Sequence, residues 1–194
     1  MIRRRHHHRI ESNPVIQAHF TDTLLRRMIQ KGINRPDLVE AFATQTDIWA
    51  SKKNILHWML KLRIPHRPLD AIIFLSGLLG GTPASYIQPD TDKTPNPCFS
   101  TEVEAWRTLL QTYLEGRSRG WLTRELNKRG YQLNVRCVSK WVSEGRIRQK
   151  RMFWLLPDLA EILDVPVNAL IPLVGSSPAQ VAGVTPHREA RSDG

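Results

Sequence analysis

Between Leu122 and Ile171 the chain sets apolar stripes and helix breakers in an order that strongly constrains its fold. Leu122 and Leu126 sit one helical turn apart and can share a buried face. Gly130 then interrupts the helix, and Asn134 offers a side-chain oxygen to cap a new one. In that new helix Val138, Trp141 and Val142 fall at i, i+3 and i+4 and point inward, whereas Arg136 and Lys140 fall on the opposite side. Two further helices are expected after it, the last stretch being LAEILDVPVNALI from Leu159 to Ile171. A short helix with a packed back and a basic front, braced by others, suits contact with a grooved anionic surface.

The rest of the chain reads as helical by the same criteria. Asn13-Pro14 starts a helix whose stripe, Val15, Ile16, Phe20, Leu24, Met28 and Ile29, ends at Gly32. A second begins near Asn34 to Asp37 and carries Leu38, Val39 and Phe42. A third follows Ser51, with Ile55, Trp58 and Met59 inward. Leu69 to Gly80 is apolar nearly all round, which predicts a buried helix. Thr82-Pro83 opens a short closing helix that ends near Ile87. Thr101 and Glu104 make a capping box for a helix carrying Val103, Trp106, Leu109, Leu110 and Tyr113.

The two halves repeat. Trp58 matches Trp141, each followed by a basic loop, and LSGLLGGTPASYI from Leu75 matches the tail from Leu159 in apolar character. Leu38 and Phe42 match Leu122 and Leu126 at a nearly constant offset, and the slips between blocks fall at turns. The expected fold is therefore all-α, with two tandem helical modules. A basic arm covers 1–13, the first module 14–87, a proline-containing linker 88–100, the second module 101–173 and a disordered tail 174–194. The first module departs most from the pattern in its longer connection Ala43 to Ala50, which contains Trp49.

Charge points to an anionic partner. Lys plus Arg number 28 against 18 for Asp plus Glu, a formal charge of +10. From Arg117 to Arg151 eleven basic residues are opposed within the segment only by Glu125 and Glu144. From Ser51 to Arg67 there are five, Lys52, Lys53, Lys61, Arg63 and Arg67, and no acid. Both clusters coincide with a third helix and the loop after it. Arg146, Arg148, Lys150 and Arg151 are expected to hold a phosphate backbone, with Lys61, Arg63, His66 and Arg67 as weaker counterparts.

The second half resembles the Cro/C1-type, lambda-repressor-like helix-turn-helix family. The resemblance rests on the VSKW run at Val138 to Trp141, on Gly145, and on the Leu159 to Ile171 tail. It covers roughly residues 105–172 and implies two tandem helix-turn-helix domains. Carried over residue by residue, it places Val135, Arg136 and Lys140 on the base-facing side of a recognition helix, with Asn134 and Cys137 near phosphates. By the internal repeat, Lys52, Lys53 and His57 take the equivalent base-reading places in the first half. The Gly130-Tyr131-Gln132-Leu133 connection is about a residue longer than the family's tight turn.

These expectations describe a sequence-specific, double-stranded-DNA-binding transcriptional regulator of bacterial or phage type. Homodimerisation is open, and so is a contact with RNA polymerase or another protein. The rival readings are a protein-interaction factor (an antitoxin, phage inhibitor or polymerase adaptor) and an architectural or recombination accessory protein. No GxSxG, Walker loop, HExxH or glycine-rich nucleotide turn is present, so no enzymatic role and no cofactor are expected. Cys98 and Cys137 lack ligand or disulfide spacing, so no metal site is expected and the compartment reads as the reducing cytoplasm, at the nucleoid. The Arg3 to Arg9 run with its three histidines reads as a basic arm and not as a secretory signal. The longest apolar run, Ala71 to Leu79, is too short to span a membrane.

Overall fold

The computed structural model describes residues 13–46, 48, 50–89 and 94–175. The RRRHHHR run, Trp49 and the tail beyond 175 lie outside the described residues. Helix α1 is Pro14–Lys31, α2 Arg35–Gln45, α3 Lys52–Met59 and α4 Pro68–Leu79, followed by a 3-10 turn at Ala84–Tyr86. The second half repeats the order: α5 Glu102–Tyr113, α6 Arg119–Lys128, α7 Val135–Glu144, α8 Gln149–Leu163 and a 3-10 turn at Val167–Leu170. The molecule is thus mostly helical among the described residues, with almost no strand.

Local chemistry sets these boundaries. Asn13 accepts hydrogen bonds from the Val15 and Ile16 amides, and Asn34 and Asp37 form a reciprocal capping box. Ser51, Thr101, Ser118 and Asn134 cap α3, α5, α6 and α7 by each accepting from a backbone amide, so Thr101 caps α5 without the reciprocal Glu104 bond expected of a capping box. The predicted stripe of α1 needs correction at both ends, because Val15 and Ile29 are 75% and 81% exposed. At 100° per residue Ile16, Phe20, Leu24 and Met28 sweep one arc, and Val15 and Ile29 fall on the far side of it. Val103 is likewise half-exposed, while Trp106, Leu109 and Leu110 of α5 are buried.

The buried side chains of both halves belong to one hydrophobic cluster. Helix α4 packs along α8, and Phe20 of α1 meets Phe153 of α8 edge-on at 6.4 Å between ring centroids. Gln149 donates to Asp70 across the same seam at 2.9 Å. Helices α4 and α8 hold corresponding places in the element order of the two halves and pack against each other.

The distal part of the expected linker is tied down. Asn96 donates to the Asn168 and Ile171 carbonyls, and the Asn168 amide donates to the Thr94 carbonyl. Strand β1, Cys98–Phe99, pairs in parallel with β2, Leu173–Val174. These partners are some 70 residues away in sequence, beyond the reach of local pattern.

Candidate nucleic-acid interface

The second half builds its candidate site on α6, the turn after it, and α7. Ser118 accepts from the Trp121 amide, so α6 begins at Arg119, upstream of Leu122. After Lys128 the chain turns through Gly130 at φ +92°, a left-handed conformation that suits glycine. Asn127 then holds Leu133 twice, donating to its carbonyl at 2.9 Å and accepting from its amide at 2.8 Å. From α8, Asp158 accepts from the Tyr131 hydroxyl and from Arg129, which also reaches Glu161 at 2.6 Å. The long connection is therefore pinned by side chains from both sides.

The titrations follow from this clamp. Hydrogen bonds that Arg129 donates to Glu161 and Asp158 raise its guanidinium further above its ordinary value. The same Arg129 holds the Glu161 carboxyl below the usual carboxylate range. Burial, and then the Asp158 hydrogen bond, push the Tyr131 phenol up. These shifts favour a charged Arg129–Glu161 pair with a neutral Tyr131 phenol beside it.

Helix α7 has the two faces expected of it. Val138, Trp141 and Val142 are buried, and Gln111 of α5 donates to the Val142 carbonyl at 3.1 Å. Gly145 ends the helix at φ +63°, and a Cβ there would collide with the Val103 carbonyl. This glycine is needed both for its dihedral and for the close approach of α5. On the outer face Val135 is 49% exposed, and Arg136 and Lys140 are exposed. Neither cation has a hydrogen-bond or ion-pair partner among the described residues.

The predicted basic loop is partly helix. Only residues 145–148 connect α7 to α8, because the apolar run Met152 to Leu156 continues through Pro157 as one helix whose first turn includes Lys150 and Arg151. Arg148 occupies the cap position without a side-chain cap bond, and the first turn holds no acid. Cations beside the positive end of a helix dipole are unfavourable on their own and are relieved by an anion. Arg148 and Lys150 are exposed, while Arg146 approaches Glu144 at 3.4 Å. Arg151 instead turns into the α7–α8 seam, 3.7 Å from the Cys137 sulfur and stacked near Trp141. Asn134 spends its carbonyl oxygen on the Cys137 amide.

Folding also sorts the other cations. Arg117 stacks on Trp121 and donates to the Ile162 carbonyl, Lys128 pairs with Glu125, and Arg129 is held by α8. Arg119 and Arg124 of α6 remain exposed and without such partners among the described residues. They join Arg136, Lys140, Arg148 and Lys150 as uncompensated charge. The Ser118 cap was the available signal for placing Arg119 in the first turn of α6, but Gly120 obscured the helix start.

In the first half, Lys52 and Lys53 stand exposed on the first turn of α3. His57 does not share their surroundings. It is half-buried, facing a groove that Lys150 and Trp154 of α8 also line. Lys61 pairs with Asp22 at 2.8 Å and Arg67 with Asp70 at 2.5 Å, so the acid missing from this segment arrives from α1 and α4. Arg63 is exposed.

Among the described residues no cluster of three or more His, Cys, Asp or Glu side chains is placed to hold a metal ion. No described helix is long and apolar enough to cross a membrane. Comparison with family models, curated proteins and solved structures gave no match.

Proposed function

We propose that the protein is a sequence-specific double-stranded-DNA-binding regulator built from two tandem helix-turn-helix modules. The observation that carries this reading is the outer face of α7. A helix anchored by Val138, Trp141 and Val142 presents Arg136 and Lys140 outward with no partner among the described residues. Arg136 at a guanine edge would read sequence by a bidentate contact. Arg148 and Lys150, at the start of α8, and Arg119, at the start of α6, supply the phosphate contacts that fix its register. The pairing of α4 with α8 supports the idea that one chain mimics a symmetric dimer. Since α7 offers Val135 and Arg136 where α3 offers Lys52 and Lys53, the two half-sites differ and the operator is asymmetric.

Selection from a randomised duplex pool tests the proposal, with wild type beside Arg136→Ala plus Lys140→Ala. The expected result is one enriched motif, lost or relaxed in the double variant. Binding without enrichment would instead assign an architectural role. Absence of binding at modest salt would favour a protein partner, for which the exposed Leu60 and Leu62 of the first half are the relevant surface.

A further inference from the structure

Folding assembles a second basic surface that neither half holds alone. It is an open groove of about 560 Å3 between the α3–α4 loop and the 145–150 stretch where α7 gives way to α8, with the start of α5 beside it. His66 and Arg67 come from the first half, and Arg146, Arg148 and Lys150 from the second. Gln149 also lines it, donating to Asp70 of α4 at 2.9 Å and to Glu102 of α5 at 3.3 Å. That amide ties the start of α8 to both halves, so the two walls are held together.

The acid in this groove is engaged and most of its donors are not. Glu102, the one carboxylate among the described lining residues, accepts from Trp106 as well as Gln149. Arg67 is paired with Asp70. Arg146 approaches Glu144 at 3.4 Å with 76% of its side chain exposed, and so open a pair holds an arginine only weakly. His66, Arg148 and Lys150 are exposed and have no hydrogen-bond or ion-pair partner among the described residues. All three are donors, His66 through whichever ring nitrogen carries the proton. Donors spread along an open surface suit a row of anionic oxygens. Gly145, where α7 ends, lines the same groove, so it runs on from the helix that carries Arg136 and Lys140.

We infer that this groove seats the phosphodiester backbone of a nucleic-acid duplex, one stretch of which is held by both halves at once. The inference rests on the duplex-binding reading above and adds a shared grip at the seam. His66 on one wall and Arg148 and Lys150 on the other contact neighbouring phosphates of the same strand. Such contacts fix position on the duplex and carry no sequence preference of their own.

The test follows the side-chain proton–carbon resonance of His66 in the full-length, 13C-labelled protein, assigned by its disappearance in His66→Ala. The titrants are a random-sequence duplex, inorganic phosphate and polyglutamate, the last two matched to the duplex in charge concentration. The expected result is a saturable shift with the duplex alone. In Arg148→Gln, on the opposite wall, the His66 shift at saturation should shrink, and the slope of log K against log salt should fall by about 1. Both substituted residues are exposed, and an unchanged thermal midpoint verifies that the variants fold. Duplex binding with the His66 resonance unmoved would overturn the inference and leave the regulator reading standing. A full-sized His66 shift at saturation in Arg148→Gln would also overturn it, since the halves would then grip separately. An equal shift with phosphate or polyglutamate would do the same. Duplex binding without an enriched sequence would remove the sequence-specific reading, yet a duplex-specific shift coupled to Arg148 would still uphold the shared grip. Absence of duplex binding would overturn both.

Discussion

At Arg136 and Lys140 the side chains reach solvent because their helix neighbours Val138 and Trp141, on the opposite face, are committed to the core. This division was legible in the sequence, since a 3.6-residue period assigns faces without knowledge of the partner. The fate of Arg117, Arg129 and Arg151 was not legible, because their partners come from α7 and α8. The surroundings of His57 were not legible for the same reason: the groove it faces is also lined by Lys150 and Trp154 of the other half. Gly145 gives a residue-level prediction. Gly145→Ala places a side chain at positive φ and against the Val103 carbonyl, so denaturant unfolding should show a loss of about 1–3 kcal/mol. Glu161 gives a pH-dependent one. Its carboxyl is held low by Arg129 in the folded state, so its contribution is present above the ordinary glutamate value of about 4.3 and lost as pH falls below it. A thermal-melt series should show a small acid-side drop that Glu161→Gln lacks.

Among the elements, helix count and most helix starts followed from capping residues such as Asn13, Asn34 and Asn134, whose chemistry is local. The start of α8 was obscured. Three cations at a helix N-terminus oppose the dipole, and Pro157 suggests a break, so the segment resembled a loop; burial of Met152 to Leu156 overrides both. On the proposed DNA-binding reading, that arrangement gives α8 a phosphate-holding role. Lys150→Ala should weaken binding to every duplex alike and lower the slope of log K against log salt by about 1, measured by titration at several salt concentrations. The turn between α6 and α7, longer than the resemblance led one to expect, is held by Asn127, Arg129 and Tyr131. Its length therefore need not loosen α7.

For the whole molecule, the internal repeat was visible from Trp58 and Trp141, but the joining of the halves was not. A core shared by α4, α8, Phe20 and Phe153 depends on long-range packing that no sequence window contains. Phe153→Ala should cost about 3–5 kcal/mol and lower a single thermal transition, without splitting it into two. On the proposed reading, a seam that holds α3 and α7 at one spacing lets one chain read two unlike half-sites at one separation. The most direct test takes the duplex enriched by the wild-type chain and measures binding of Arg136→Ala to it and to every single-base variant. The account predicts that discrimination of about 1–3 kcal/mol disappears at one or two adjacent base pairs in one half-site, with the other half-site still read as before. Uniform weakening, with the preference intact at every position, would contradict α7 as the reading helix.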